Sequence, residues 1–573
     1  MLGHKVTVVV AATIAATALT IAAGVATAAP RQRPIVYAVV LDGLDGDRIE
    51  QGQAPFISSM LAGEEANGTY YPQSRSVIPA ETNPNHTAMM SGAFPGKSGI
   101  PANAFALYAP TAGEDTCVTT SPLDFSVMPT ETSGESATCP TAEMTFEAIK
   151  RQGNPDELAT AGIFGKPKLG RIFAGQNFQS GSYDADYLWA PCSSGAEDDP
   201  YCGSVPTNPI TGYAVDDKAV MDQVLASMNG IEGDFDTRRP DFTFVNLHQI
   251  DSAGHASGPG GLNDSAIGLA DMEIERLVSA LRERGEWERT VLILVSDHSM
   301  DSTPDKIVLT ETLIDAGIAE SEFLAVDNGS IDLIYLANRN SPARFELLKQ
   351  MRSAILAEPG VTEALYRGPN PADGGETNTV DAVHPEWRAA GERSGDLFVV
   401  AGPGYAFSET SASSNPLPGN HGAPQTADNF LAVAGGSELV RQSVVSGHAP
   451  IASPTNADLA PTVMGLLGLF APDDSDGSFL AGAFDRGVLK RVSRPHRPKI
   501  SVGARRLKVL PEGGRYDIQA RSNRGSWRRL RRYSARNSVR LTTLGRGCTP
   551  VRARVRSAAA IRSPWRTKKI RCG

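Results

Sequence analysis

The sequence predicts an α/β fold: a mixed, largely parallel central sheet flanked by helices, followed by a small β-sandwich-like domain. Three observations carry that prediction. Short, wholly apolar Val/Ile runs recur through residues 33–487, amphipathic helical patterns separate them, and residues 488–573 switch to apolar/basic alternation. Apolar runs suit strands buried on both faces, helical intervals suit crossovers between parallel strands, and alternation suits an antiparallel sheet with one wet face.

The first element, residues 1–28, reads as a signal peptide. His4-Lys5 give a short basic start, an Ala/Val/Thr/Ile run follows, and Ala26-Thr27-Ala28 forms a small-x-small cleavage pattern. The apolar run is also long enough for an uncleaved anchor, but its small-residue end favours cleavage. The expectation is therefore a secreted or cell-envelope-associated protein. Six cysteines agree with export: Cys117 and Cys139, Cys192 and Cys202, Cys548 and Cys572 lie in local pairs without a CxxC. An even number in an exported chain favours disulfides over zinc thiolates, with local pairing the simplest of several connectivities.

The strand candidates come next. "PIVYAVVLDG" (34–43), "DFTFVNL" (241–247), "TVLILVSD" (290–297) and "GDLFVVAG" (395–402) each read as a strand buried on both faces. In residues 265–283, Ile267, Ala270, Ile274, Leu277, Val278 and Leu281 share one helical face behind an Asn263-Asp264-Ser265 start signal. Residues 105–140 and 180–215 are rich in Ser, Thr, Gly and Pro and read as long insertions near one rim of the sheet. "NADLAPTVMGLLGLFAP" (456–472) reads as a helix closing the large domain.

After the linker-like "RPHRPK", the strings "RYDIQAR" (515–521) and "VRARVR" (551–556) alternate as antiparallel strands do. Residues 491–573 hold 25 Lys and Arg against 2 Asp and Glu, a net of +23, so residues 1–490 carry −33 of the chain's −10. A split of that size points to two units with two tasks. The basic one suits anionic cell-envelope polymers, nucleic acid or membrane surfaces as partners, beside the plainer reading of a solubilising β-domain.

The chemistry lies in the acidic part. Asp42 ends one strand, Asp251 and His255 follow another, Asp297-His298 end a third, and His421 sits in a later "LPGNHGAP" loop. Ligands in open α/β sheets gather outside the carboxyl ends of the strands, so these residues have a reason to converge. Singly, each reads as a turn residue or helix cap. Together, three Asp and three His suit two zinc or similar divalent sites with mixed N/O ligation.

Seven segments in order then carry a family resemblance: "LDG" (41–43), "TNPNHTAMMSG" (82–92), "GIPAN" (99–103), "DSAGHASGP" (251–259), "SDHSM" (296–300), "GNHG" (419–422) and "DLAPTVMGLLGL" (458–469). The chain resembles the alkaline phosphatase superfamily and, within it, the type I phosphodiesterase/nucleotide pyrophosphatase family. The resemblance implies that Asp251, His255 and His421 hold one Zn2+. It implies that Asp42, Asp297 and His298 hold the other, with the Thr82 oxygen also bound. It makes Thr82 the nucleophile and Asn103 a hydrogen-bond donor to a phosphate oxygen. A helix beginning near Pro84 would then turn free N–H groups toward the phosphate.

The expected activity is hydrolysis of small-molecule phosphodiesters or pyrophosphates through a phospho-threonine. The alternative is a phosphonate or phosphate monoesterase on the same site, and the non-enzyme reading is a surface-binding protein working through its basic tail. One departure bears on substrate. Nucleotide-cleaving members place an aromatic residue after the nucleophile, whereas this chain has Asn83, and its Thr-Asn-Pro-Asn run also resembles phosphonoacetate hydrolases. His86 and His248 read as structural, because six ligands are already present. No Cys-x-Pro-x-Arg occurs, which sets sulfatases aside.

Overall fold

A computed structural model describes residues 33–106, 140–152, 158–174, 185–191, 202–203, 216–230, 239–408, 418–445, 453–503, 505–511, 514–521, 525–540 and 549–570. The signal-peptide segment, most of both long insertions, and at least one cysteine of every expected pair lie outside the described residues.

The central sheet has nine strands: β1 (Ile35–Leu41), β2 (Asn67–Tyr70), β3 (Thr160–Phe164), β4 (Tyr187–Pro191), β5 (Cys202–Gly203), β6 (Phe242–Leu247), β7 (Thr290–Val295), β8 (Leu431–Gly435) and β9 (Ser443–Val444). Their order is β9-β2-β8-β7-β1-β6-β3-β4-β5. Only β8 runs antiparallel to its neighbours; every other pairing is parallel. β1 lies in the middle, with Val40 opposite Asn246 on one side and Val295 on the other.

Strand periodicity divides the core. Val36, Ala38 and Val40 pack on one side of the sheet with Phe242, Phe244 and Ile293. Tyr37, Val39 and Leu41 pack on the other with Val245, Leu247 and Leu294. All seven residues of β1 are buried, which is why the run reads as uniformly apolar.

Four helices bear on the site: α1 (Thr82–Ser91), α2 (Pro167–Ala174), α3 (Gln249–Ser257) and α4 (Leu262–Glu283). The α4 positions expected to face the core are buried, while Leu262, Leu269 and Met272 on its other side are exposed. The closing segment is split, with a 3-10 turn at Asn456–Asp458 and an α-helix at Leu459–Leu466.

One strand lies elsewhere than its sequence suggests. Leu397–Ala401 belongs to a separate four-stranded antiparallel sheet with Phe323–Val326, Ile331–Leu336 and Val361–Tyr366. Its residues face two apolar clusters, one containing Leu397, Val399 and Ala401, the other Phe398 and Val400. A doubly covered antiparallel strand is as apolar as a parallel one, so composition does not separate the two.

The C-terminal region forms two small antiparallel sheets. One contains Lys499–Val502, Arg506–Leu510 and Ser538–Arg540; the other contains Arg515–Ala520, Arg528–Ser534, Thr549–Arg556 and Arg566–Ile570. The region is joined to the larger body through packing and backbone bonding: Ala558 donates its N–H to Leu469 O at 2.8 Å, and Phe470 meets Tyr516 with ring centroids 6.3 Å apart. The helix Arg486–Val492 sits at the junction, with Val488 and Leu489 in the large core.

Candidate active site

The carboxyl ends of β1, β6 and β7 lie side by side. Asp42 follows β1, α3 follows β6 after His248, and Ser296-Asp297-His298 follow β7. On α3, Asp251 and His255 are one helical turn apart and therefore share a face. Gly43 lets α3 approach: its φ is +80°, and a Cβ there would lie 2.9 Å from the Asp251 Cα.

His421 is tethered from two directions. Gly419–Asn420 pairs antiparallel with Asp301–Ser302, just beyond His298. Gly422 O accepts from Ala80 N at 2.8 Å, which fixes the loop against the entry to α1.

α1 brings Thr82. Glu81 is its extended N-cap, and every residue of the helix is buried. Asn85 wraps the preceding loop around it. Its amide donates to Val77 O, Pro79 O and Glu81 O at 2.9–3.1 Å, and its Oδ1 accepts from Val77 N at 2.7 Å. The helix starts at Thr82, so Pro84 is its third residue. The Asn83 N–H does not stand free, because it donates to Asn103 Oδ1 at 2.8 Å.

The structure gathers Asp42, Thr82, Asp251, His255, Asp297, His298 and His421. His255 Nε2 lies 3.4 Å from Asp251 Oδ1, and His421 Nε2 lies 3.5 Å from the same oxygen. His298 Nε2 is 3.3 Å from Asp297 Oδ2, 3.7 Å from Asp42 Oδ1 and 3.5 Å from Thr82 Oγ1. Its ring also stacks on His421 at 3.6 Å, so His298 borders both acid/His clusters. The sets Asp251–His298–His421 and Asp42–His86–Asp297 each have ligand atoms within 4.8 Å of one another. Asn103 lies beside the start of α1, bonded to Asn83.

Each ligand-type His has its other nitrogen near a backbone carbonyl: His255 Nδ1 is 2.9 Å from Gly419 O, His298 Nδ1 3.0 Å from Ser299 O, and His421 Nδ1 3.2 Å from Ala80 O. Donation there leaves Nε2 as the acceptor facing the acids. His86 differs. Its Nδ1 is 2.9 Å from Thr82 O and its Nε2 is 3.1 Å from Asn246 Nδ2, so both nitrogens already have protein partners. His248 lies one layer out, its N–H bonded to Asp217 and Nδ1 3.0 Å from Ser252 Oγ.

Two lysines and an asparagine were not singled out in the sequence. Lys166 Nζ donates to Asp42 Oδ1 at 2.9 Å, Asp251 Oδ2 at 2.8 Å and Thr82 Oγ1 at 3.1 Å. Asn246 Nδ2 donates to Asp42 Oδ2 at 2.8 Å. Lys168 is two residues further on, at the start of α2. The signal was present in "FGKPKLG": Lys166 follows β3, the neighbour of β6, and so lies at a strand's carboxyl end like the acids.

Electrostatics follow from burial and crowding. Burial opposes the Lys166 charge, but Asp251, Asp42 and Asp297 outweigh it and raise its pKa above the ordinary lysine range. Asp251 is held well below the usual carboxylate range despite burial, by Lys166 and the surrounding histidines. Burial and the neighbouring Asp42 push Asp297 well above that range. Burial lowers His298 to about 4 and His86 to about 3. Lys168 is lowered to about 8 by burial and by repulsion from Lys166, and Glu81 is raised to about 8 by burial.

Divalent ions fit these residues. Three carboxylates, Asp42, Asp251 and Asp297, are buried together, Lys166 bonds only the first two, and the buried oxygens Asp251 Oδ1 and Asp297 Oδ2 have no hydrogen-bond partner. Burial lowers the pKa of His298 and His421, and all three ligand-type histidines present Nε2. A buried site short of positive charge, lined by hard oxygens and imidazole nitrogens, has the donor set of a two-ion centre.

A family profile described as type I phosphodiesterase / nucleotide pyrophosphatase matches residues 36–424. No curated protein matches the sequence. Among solved structures, murine ectonucleotide pyrophosphatase/phosphodiesterase 5 is similar at 18% identity and a TM-score of 0.54, covering 79% of this chain and 100% of that one; one such structure is an inactive form in complex with AMP. The human counterpart is similar at 17% identity and a TM-score of 0.53, with the same coverage. At such identities the likeness concerns the fold, and it agrees with the alkaline-phosphatase-like α/β architecture described above.

Proposed function

The chain belongs to the type I phosphodiesterase / nucleotide pyrophosphatase family, and from that premise we propose an exported two-zinc hydrolase that cleaves phosphodiester or pyrophosphate bonds through a phospho-threonine. The observation that carries this reading is the position of Thr82. Its hydroxyl opens a fully buried helix, 3.1 Å from the Lys166 ammonium and 3.5 Å from His298 Nε2, between the two acid/His clusters.

In this reading Asp251, His255 and His421 hold one ion, and Asp42, Asp297 and His298 hold the other. Bound zinc supplies Lewis-acid charge and acidifies hydroxyl groups. Thr82 Oγ, its proton lost to solvent base, attacks phosphorus; the P–O bond to the leaving group breaks and a phospho-threonine forms. Lys166 places a positive charge beside the oxygen as it becomes anionic, and Asn103 offers its amide to a non-bridging oxygen. Water then attacks phosphorus, the Thr82 O–P bond breaks, the threonine oxygen regains its proton, and a phosphate monoester that keeps the remaining ester arm departs. Two inversions give net retention.

The test is hydrolysis of bis-p-nitrophenyl phosphate by zinc-loaded protein, with acid-quenched digests searched for a p-nitrophenyl phosphoryl group on the peptide containing Thr82. Turnover by Thr82→Ala at the native rate would refute the nucleophile. Residues 1–28 support the export part, which is tested by N-terminal sequencing of the mature protein.

A second reading, hydrolysis of a phosphate monoester or phosphonate, is favoured by Lys166 and Lys168. A monoester dianion carries one more charge than a diester, and two lysines beside two metal ions answer a dianion better than a monoanion. Comparing kcat/KM for a diester, a monoester and phosphonoacetate separates the readings.

A further inference from the structure

The outward face of the C-terminal four-stranded sheet is an array of arginines. Along paired strands, Arg515 faces Arg556, Asp517 faces Arg554 and Gln519 faces Arg552. The intervening pairs, Tyr516 with Val555 and Ile518 with Ala553, are buried in the domain core. Asp517 is the one acid among the described residues 499–570.

Aromatic rings order these guanidiniums. Arg521 and Arg552 lie 4.8 and 4.2 Å from the Trp527 centroid, and Arg552 and Arg554 each lie 4.4 Å from that of Trp565. Asp517 bridges Arg554 and Arg556 at 2.9 and 3.5 Å, and Arg556 stacks 4.3 Å from Tyr533. Arg521, Trp527, Arg552, Trp565 and Arg554 thus form an unbroken run. Guanidiniums held this way lose little freedom on binding an anion, and alternate residues of one strand set them about 7 Å apart.

A second feature adjoins the first through the strand Arg528–Ser534. A cleft of about 740 Å³ is lined by Arg506, Arg528, Arg529, Arg531, Arg536 and Arg540, with no acidic lining residue. Repulsion from Arg554 and Arg556 also lowers the pKa of nearby Arg562, a sign of charge crowded without enough counter-charge.

We propose that this face and cleft bind an extended, base-free polyanion linked by phosphodiesters, a polyol-phosphate chain. The array's length and its excess of arginines over the one acid, Asp517, fit a polymer rather than a small anion. Each indole is already engaged by two guanidiniums, which leaves no ring for the base stacking that single-stranded nucleic acid uses. Guanidinium forks match phosphate and carboxylate alike; the choice of phosphodiester rests on the hydrolytic reading of the Thr82 site.

The experiment uses the full chain carrying Thr82→Ala, so that binding is read without hydrolysis. Fluorescently labelled poly(glycerol phosphate) is titrated across salt concentrations beside poly(dT) and polyglutamate. The expected result is binding of poly(glycerol phosphate) at least tenfold tighter than either comparator, weakening steeply with salt. Two variant sets, Arg552→Gln/Arg554→Gln/Arg556→Gln and the exposed Arg529→Gln/Arg532→Gln/Arg536→Gln, should each weaken it tenfold or more and flatten the salt slope. In the otherwise native chain, both sets should keep wild-type kcat/KM on a small chromogenic ester, which verifies their folding. No binding, equal binding to either comparator, or unchanged affinity in the second set would overturn the proposal. Failure of Thr82 as nucleophile would leave the binding result standing.

Discussion

Asn83 holds Asn103 in place with both its backbone and its side chain. The Asn83 N–H donates to Asn103 Oδ1 at 2.8 Å, and Asn83 Nδ2 donates to Asn103 O at 3.0 Å. The Asn103 N–H in turn donates to Glu81 Oε2 at 2.5 Å. These bonds use every polar atom of Asn103 except the amide nitrogen and fix which way the amide points. The residue after Thr82 here serves the neighbouring loop.

Asn83→Ala should therefore act through Asn103. It removes one hydrogen bond, worth about 1 kcal/mol, so kcat/KM should fall about fivefold. Asn103→Ala removes the donor itself and should cost about 10²-fold or more. Steady-state kinetics on the same ester compares them, and in the double variant Asn83→Ala should add little. Full additivity would mean that Asn83 acts independently.

Thr82→Ala should lower turnover by at least about 10³-fold. Two zinc ions per chain should remain, because six Asp and His side chains still surround the site. Plasma mass spectrometry on the purified variant reads the metal content.

Lys166→Met should reveal what the ammonium does without metal. Removing one partner from a buried charge cluster costs about 3–5 kcal/mol, so the metal-free variant should melt well below metal-free wild type. Added zinc should recover most of the difference, since it supplies the missing positive charge. Calorimetry with and without zinc tests this. On activity, the loss should be larger for a monoester than for a diester.

Asp217 gives a pH signature away from the clusters. It accepts from His248 N at 2.8 Å, and burial raises its carboxyl from 3.8 to about 6. The native state thus binds this proton more tightly than the unfolded chain. The resulting stabilisation is full below the ordinary carboxyl range and is lost as pH rises through about 6. Asp217→Asn should flatten the stability profile between pH 4 and 6 by on the order of 2–3 kcal/mol. Urea melts across that range measure it.

Much of the site was legible because strand ends are legible. Asp42, Asp297 and His298 each close an apolar run, and Asp251 and His255 have helical spacing directly after another. His421 was not readable that way: it stood out only as a histidine in a Gly- and Pro-rich loop, since the two-residue strand before it has no pattern of its own. Lys166 was overlooked because lysines at strand ends do not resemble metal ligands. Leu397–Ala401 was assigned to the wrong sheet because burial on both faces erases the difference between parallel and antiparallel strands. One of the N–H groups expected to be free at the start of α1, that of Asn83, is taken by Asn103, a side chain twenty residues on that local sequence does not reveal.

The position of β8 also dictates when the enzyme can exist. β8 is the last but one of the central sheet's strands in chain order, yet it lies between β7 and β2 and joins β2 and β9 to the rest of the sheet. His421 arrives only ten residues earlier in synthesis. A nascent or truncated chain ending before residue 421 lacks both β8 and the proposed ligand His421. On the proposed ligand assignment, hydrolytic competence and closure of the central sheet therefore come late and together.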